Sequence, residues 1–185
     1  MRTSFLLLLA LGCTTASRTS AQSGESAASS TMAGATGPAA TAVIEPRSGS
    51  TLSGSAKFIG VQEGLGAHVE VQGAMPGPHG VHVHEKGDCS DPKAASAGPH
   101  YNPNAGAHHG GPVTPVRHGG DLGNIEVGPD GKGTLDVVVA GLSVADVANG
   151  VVGRAIVVHE KVDDLVTDPA GNSGARIGCG VIQAP

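Results

Sequence analysis

From Ala42 onward, apolar side chains recur at every second position in short runs cut by glycine and proline. In "AHVEVQG", Val69 and Val71 point one way, and His68, Glu70 and Gln72 the other. That is the repeat of a strand buried on one face, not of a helix with its repeat of ~3.6 residues. "STLSGSAKFIG" alternates weakly and "GVHVHE" clearly. "DLGNIEVGPDGKGTLDVVV" reads as two strand-like runs around a Pro-Asp-Gly turn, and "GVVGRAIVVHE" and "RIGCGVIQ" supply two more. With 30 glycines, 12 prolines and 2% aromatic residues, the chain has little from which to build a large helical core. The pattern predicts an all-β fold of roughly eight strands in an antiparallel sandwich or barrel. "LSVADVANG" is the one helix-like piece, a single turn that Ser143 would cap. Two long irregular segments, Gly87 to about Gly119 and Lys161 to Ala175, interrupt the strands. Loops of that length in one domain call for a function that fills them.

The N-terminus reads differently. "MRTSFLLLLALGCTTAS" opens with Arg2 and an apolar run from Phe5 to Leu11. The run is far short of the roughly 20 residues that span a bilayer and fits a signal peptide. Ala10-Leu11-Gly12-Cys13 resembles a bacterial lipobox, in which the cysteine is lipidated; an ordinary signal peptide cut after Ala21 is the alternative. The expected organisation is a signal peptide over 1–12, a flexible Ser/Ala/Thr/Gly tether over 13–41 and a folded domain over 42–185. This implies export to the bacterial cell envelope or periplasm as a membrane-tethered lipoprotein, anchored through Cys13. Disulfides persist outside the cytoplasm. Lipidation of Cys13 leaves Cys89 and Cys179 as a pair, with two unrelated buried thiols as the alternative. A net charge of −5 argues against nucleic acid as a partner.

The histidines carry the chemistry. In a strand, His82 and His84 project to one face while Val81 and Val83 face the other. Two adjacent imidazoles make a poor core, since each needs a hydrogen-bond partner, and a good half of a metal site. Alone, such a pair is weak evidence and is more often a surface feature. Downstream, His100, His109 and His118 fall nine residues apart, and Asp121 follows three residues later. Three imidazoles and a carboxylate suit tetrahedral zinc, and ligation gives a Gly- and Pro-rich loop a reason to fold. His159 ends a strand where it can converge with His82 and His84. A site made mostly of imidazoles suits copper as well as zinc.

Taken together, "GVHVHEKGDCS", "SAGPHYNP", "HGGP", "RHGGDLGN", "VVHEKVDDL" and "GNSGARIGCGVI" resemble the copper/zinc superoxide dismutases, especially their exported bacterial branch. The likeness runs from about residue 42 to 185, in the family's order. It implies a flattened eight-stranded Greek-key barrel or sandwich, immunoglobulin-like, with two functional loops. It also implies one copper and one zinc per subunit. By this resemblance His82, His84, His100 and His159 bind copper, and His100, His109, His118 and Asp121 bind zinc, with His100 shared as a bridging imidazolate. His108 competes with His109, and the "HGGP" register favours His109. Asp163 matches the carboxylate that links a copper ligand to a zinc ligand, with Asp164 as the adjacent alternative. Cys89 and Cys179 match the family disulfide.

The implied reaction is the dismutation of superoxide to oxygen and hydrogen peroxide as copper cycles between Cu(II) and Cu(I). Arg176 matches the arginine that attracts and orients the anion, and His100 is a proton carrier. Zinc holds His100 in place and does no redox chemistry. The chain departs from eukaryotic members in its shorter loop between His159 and Arg176. A steering lysine found there has no counterpart, and Pro169 and Ala170 stand near its register beside Asp168. Lys86 and Lys93 are the substitutes, although both also read as solvated surface lysines. His68 reads as a strand surface residue and His79 as a structural one. A metal-storage protein would lack a ligand or the arginine, and a hydrolytic zinc enzyme needs an open zinc position. Neither fits this set. Oligomeric state, including a homodimer, is left open because branches of the family differ.

Overall fold

Eight strands follow one another along residues 39–185, the part of the chain that the computed structural model describes. They are β1 (Ala39–Pro46), β2 (Ser53–Val61), β3 (Gly64–Gln72), β4 (Gly77–His84), β5 (Asp121–Val127), β6 (Lys132–Val139), β7 (Ala155–His159) and β8 (Arg176–Val181). They close into one barrel in the order β1-β2-β3-β6-β5-β4-β7-β8, and every neighbouring pair is antiparallel. The run β3-β6-β5-β4 is a Greek key: three consecutive strands, with the preceding strand returning beside the last. Closure leaves no free sheet edge.

Alternation decides which side chains enter the barrel. Val69 and Val71 of β3 are buried beside Ala56 and Phe58 of β2, while Glu70 and Gln72 are exposed. Ala40, Ala42 and Ile44 of β1 continue the core, with Leu52, Leu65, Leu122, Ile125, Ile156 and Ile182. Each Leu, Ile or Phe buried in this way contributes on the order of 1.5–3 kcal/mol. The Pro129-Asp130-Gly131 turn joins β5 to β6 as read from the sequence, with Gly131 at φ 75° donating its N–H to Gly128 O.

Two expectations need correction. Ala39 to Thr41, assigned to the tether, belong to β1: Ala40 is buried and pairs with Phe58. Side chains this small read as linker, but register with β2 gives them a core position. "LSVADVANG" forms no helix. Ser143 Oγ does accept the Asp146 N–H at 3.1 Å, but the chain then turns back and Ser143 bridges Gly150. Leu142, Val144 and Val151 are drawn into the barrel end, and that burial outweighs a lone helical turn. The helical piece among the described residues is instead a 3₁₀ turn at Ala95–Ala97. The signal peptide, Cys13 and the tether up to residue 38 lie outside the described residues.

The two long connections, residues 85–120 and 160–175, cover the outer face of β4 and β7. The first is stitched to β4 by backbone bonds from Val83 N–H to Gly120 O, Gly120 N–H to Tyr101 O and Tyr101 N–H to Val83 O. Gly120 has no substitute here, because a Cβ would lie 2.2 Å from Val83 O. Arg154 stacks its guanidinium on the Tyr101 ring at 3.3 Å, fastening the loop from the barrel end. A disulfide joins Cys89 of this loop to Cys179 of β8.

Candidate metal centre

On β4, Val81 and Val83 face the core while His82 and His84 face the two long loops, and both rings are fully buried. β7 pairs with β4 and brings His159 beside them; the 85–120 loop returns His100, bridged to His84. His82, His84, His100 and His159 each offer a ring nitrogen within 4.8 Å of all the others. Their hydrogen bonds fix which nitrogen faces inward. His82 Nε2 donates to Asp163 Oδ2 at 2.8 Å, and its Nδ1 is buried with no partner. His84 Nδ1 donates to Gly98 O at 2.8 Å. His159 Nδ1 faces Ser173 Oγ at 3.0 Å and Gly174 O at 3.4 Å. The Nε2 atoms of His84 and His159 then meet at 3.4 Å, two lone pairs that oppose each other unless a cation lies between them. His100 Nε2 is likewise buried and unpartnered.

A second cluster shares His100. The Nδ1 atoms of His100, His109 and His118 lie 2.8, 3.1 and 3.5 Å from one atom, Asp121 Oδ1. Donors around a tetrahedral zinc with bonds of ~2.0–2.1 Å stand roughly 3.3 Å apart, which the 3.1 and 3.5 Å separations approach, while the 2.8 Å separation is that of a hydrogen bond. By mutual distance alone, His82 groups with His100, His109 and Asp121, and His118 falls outside. The hydrogen bonds argue otherwise. His82 has committed Nε2 to Asp163 and turns Nδ1 toward the first cluster, whereas His118 Nδ1 is a buried atom without a partner.

Burial drives the charge states of the first cluster. It lowers the His82 and His84 imidazoles well below their ordinary range, with His100 adding to the effect, and holds His159 down at about 3. His100 is lowered too, by burial, against the pull of Asp121. Neutral rings keep the lone pairs that metals need. His109 goes the other way. Burial disfavours its cation, but hydrogen bonds to Asp121 and Asp163 outweigh that and raise it to about 10. Asp121 is held well below the usual carboxylate range, since the His100 and His109 hydrogen bonds overcome its own burial.

Asp163 joins the clusters. Its Oδ2 accepts from His82 Nε2 and its Oδ1 from His109 Nε2 at 2.7 Å, with both carboxylate and rings buried. Asp164 turns outward and accepts the N–H groups of Val166 and Thr167. His109, not His108, enters the buried site; His108 is exposed and pairs with Asp168. Sequence reasoning did not single out Asn124, Ser173 or Gly171. Asn124 holds the Asp163 main chain from both sides, at 2.9 and 2.8 Å. Gly171 lies so close to the linking bond that a Cβ would stand 1.7 Å from Asp163 Oδ1. The glycine had no visible reason in sequence, because the atom it accommodates is remote until the loop closes.

Above His100 and His159 opens a cleft of about 340 Å³, walled by Pro169, Ala170, Gly174 and Arg176. The Arg176 guanidinium donates to Ala94 O at 2.7 Å and Gly98 O at 2.8 Å, and is only half-buried. A larger hollow of about 480 Å³ on the outer face of β1, β2, β3 and β6 has no histidine and lacks this chemistry. His79 bonds through both ring nitrogens, to His159 O and Met75 O, and His68 pairs with Asp136 on the barrel surface.

A family model described as copper/zinc superoxide dismutase matches residues 52–182. The chain belongs to the copper/zinc superoxide dismutase family. The "Superoxide dismutase [Cu-Zn]" of Deinococcus radiodurans is 42% identical over 143 residues, which cover 72% of this chain and 78% of that protein. The solved structure of the clock protein EA4 is 38% identical with a TM-score of 0.72, covering 81% of this chain and 96% of the other. Superoxide dismutases of this family use copper and zinc, and the two histidine clusters suit those ions. The enzyme acts on superoxide, and the Cys89–Cys179 bond predicted for it is present.

Proposed function

We propose that the protein is a dismutase of the cell envelope in which His82, His84, His100 and His159 hold copper, and His100, His109, His118 and Asp121 hold zinc. The observation that carries this assignment is the set of buried ring nitrogens without protein partners, His82 Nδ1, His100 Nε2 and His118 Nδ1, each turned into a cluster of donors. When bound, copper supplies the alternating one-electron oxidation and reduction of superoxide, and zinc anchors the shared imidazole. The balance is two superoxide anions and two protons giving one oxygen and one hydrogen peroxide. Arg176 draws the anion into the cleft and orients it, because a guanidinium keeps its charge and two donors are fixed by backbone carbonyls. His100 lines the same cleft and would carry a proton through Nε2, while its Nδ1, which faces Asp121, is the atom zinc would hold. Asp163 fixes the tautomers of His82 and His109.

The location rests on the short apolar run ending at Gly12-Cys13 and the small-residue tether after it. A lipid on Cys13 would attach the domain to a membrane with about 0.8 kcal/mol for each buried CH₂. One experiment tests both parts. The enzyme is recovered from fractionated cells, its copper and zinc are counted, and superoxide decay is followed with and without a chelator. We expect one equivalent of each metal, chelator-sensitive dismutation, and a membrane-bound pool that Cys13→Ser releases. Full metal content without dismutation would favour metal storage, and a soluble cytoplasmic pool would overturn the envelope assignment.

A further inference from the structure

Asp168 sits where the two long loops meet. Its Oδ1 accepts the main-chain N–H of His109 at 2.7 Å, and its Oδ2 faces His108 Nδ1 at 2.5 Å. One carboxylate from the 160–175 loop thus holds two successive residues of the 85–120 loop. The residues after it, Pro169 and Ala170, wall the cleft over His100 and His159. The segment around Asp168 is braced. Asp164 Oδ1 accepts from Val166 and Thr167 at 3.0 and 2.8 Å, Gly171 N–H donates to Thr167 O at 2.7 Å, and Asp164 N–H donates to Gly171 O at 2.9 Å. Residues 164–171 therefore form a closed turn pressed against the bond between His109 and Asp163. Asp168 is where that turn grips the His109 backbone.

We propose that Asp168 is a positioning residue that couples zinc retention to the shape of the substrate cleft. The proposal rests on the reading of His109 as a zinc ligand. Asp163 holds Nε2 of the His109 ring and Nδ1 faces Asp121 across the zinc position, but these contacts set the ring only if its backbone is in place. The residues that follow it are tied through their own N–H groups, Gly110 to Asp121 Oδ2 at 3.0 Å and Gly111 to Thr114 Oγ1 at 3.1 Å, and Asp168 supplies the tie at His109 itself. A ligand set holds its ion when its supports keep it within about 0.5 Å of the working geometry. The same contact sets where Pro169 and Ala170 stand. The two carboxylate oxygens have separable roles. The contact to His108 joins two exposed side chains, 81% and 49% accessible, and such pairs contribute little. The contact to the His109 N–H carries the position.

The test loads the full-length enzyme with copper and zinc and follows zinc release to a chelator. The visible spectrum of cobalt at the zinc site and azide affinity at copper are read in parallel. Asp168→Ala should release zinc about tenfold faster, shift the cobalt spectrum and weaken azide binding. Asp168→Asn keeps an acceptor oxygen for the His109 N–H and should stay close to wild type, as should His108→Ala. Melting of the metal-free barrel checks folding, and Asp168→Leu, which keeps the branched shape without an acceptor, is the second probe. Wild-type zinc release in folded Asp168→Ala and Asp168→Leu, or an Asn variant as leaky as Ala, would overturn the proposal while leaving the zinc site intact. Wild-type protein that takes no zinc would overturn the ligand assignment as well, and only that outcome does so.

Discussion

Asp163 concentrates the problem that a bimetallic site poses to single residues. In the proposed assignment two rings, His82 and His109, must each keep one nitrogen protonated and the other bare, and the bare one must face its ion. The carboxylate does this for both at once, with N···O distances of 2.8 and 2.7 Å. An amide cannot, since its NH₂ end would meet an N–H donor on one of the two rings. Asp163→Asn should therefore lower metal affinity by roughly 10–100-fold, read by competition with a chelator, while Asp164→Asn leaves affinity near wild type. Equal loss in both variants would mean that the loop, not the tautomers, is what matters. The sequence left these two acids as alternatives because neighbours on a chain share every pattern-level property. What separates them is backbone direction: successive side chains point apart, so Asp163 is buried while Asp164 faces out and accepts the Val166 and Thr167 N–H groups as the chain turns at Leu165, φ 61°. The same holds for His108 and His109. The histidine and aspartate types were legible, because few roles suit so many imidazoles in one Gly-rich segment. The hydrogen-bond partners were not, since Asn124, Ser173 and Gly171 meet the site only after the loops close.

At the level of elements, strands were readable wherever one face is buried, as in β3 with Val69 and Val71 inside and Glu70 outside. Legibility failed where burial came from neighbours rather than from hydrophobicity. Ala39 to Thr41 look like linker and become strand through pairing with Phe58, Lys57 and Ile59. Ser143 carries a helix-capping signal that burial of Leu142 and Val144 overrides. The loops depend on covalent and charged ties that sequence shows only as residue types. The Cys89–Cys179 bond fastens the 85–120 loop to β8 three residues beyond Arg176, and Arg47 Nε donates to Cys89 O at 2.8 Å. The carbonyls that seat Arg176, Ala94 O and Gly98 O, belong to that same loop. Replacing both cysteines by alanine should therefore cost about 2–5 kcal/mol in denaturant unfolding of the metal-free protein and also weaken azide binding. Loss of stability with unchanged azide affinity would show that Arg176 is seated without the bridge.

The whole molecule carries a net charge of −5 and must collect an anion, so the sign of its salt response is informative. Net charge alone predicts repulsion, and added salt would then speed the reaction by screening it. A local positive focus at the cleft predicts the opposite. Arg176 is at the cleft wall, and Lys93 lines the adjoining hollow of about 370 Å³ with Arg176 and Gly98. The Lys86 stem runs along Gly98. Two acids stand there too, Asp91 near Arg176 and Glu160 beside Gly174, so the focus requires Arg176, Lys93 and Lys86 to outweigh these two within the walled cleft. Between ~0.01 and ~0.1 M ionic strength the screening length shrinks from ~30 to ~10 Å, which still spans the cleft mouth but not the approach to it. The expected result is a severalfold fall in kcat/KM over that range, measured by pulse radiolysis. Lys93→Glu should lower the low-salt rate and flatten the slope, whereas Lys57→Glu, on the barrel strand β2, should leave the slope unchanged. A rate that is flat or rising with salt in the wild type would mean that diffusion into the cleft is not focused by these residues. The anion would then be captured only once it meets the Arg176 guanidinium.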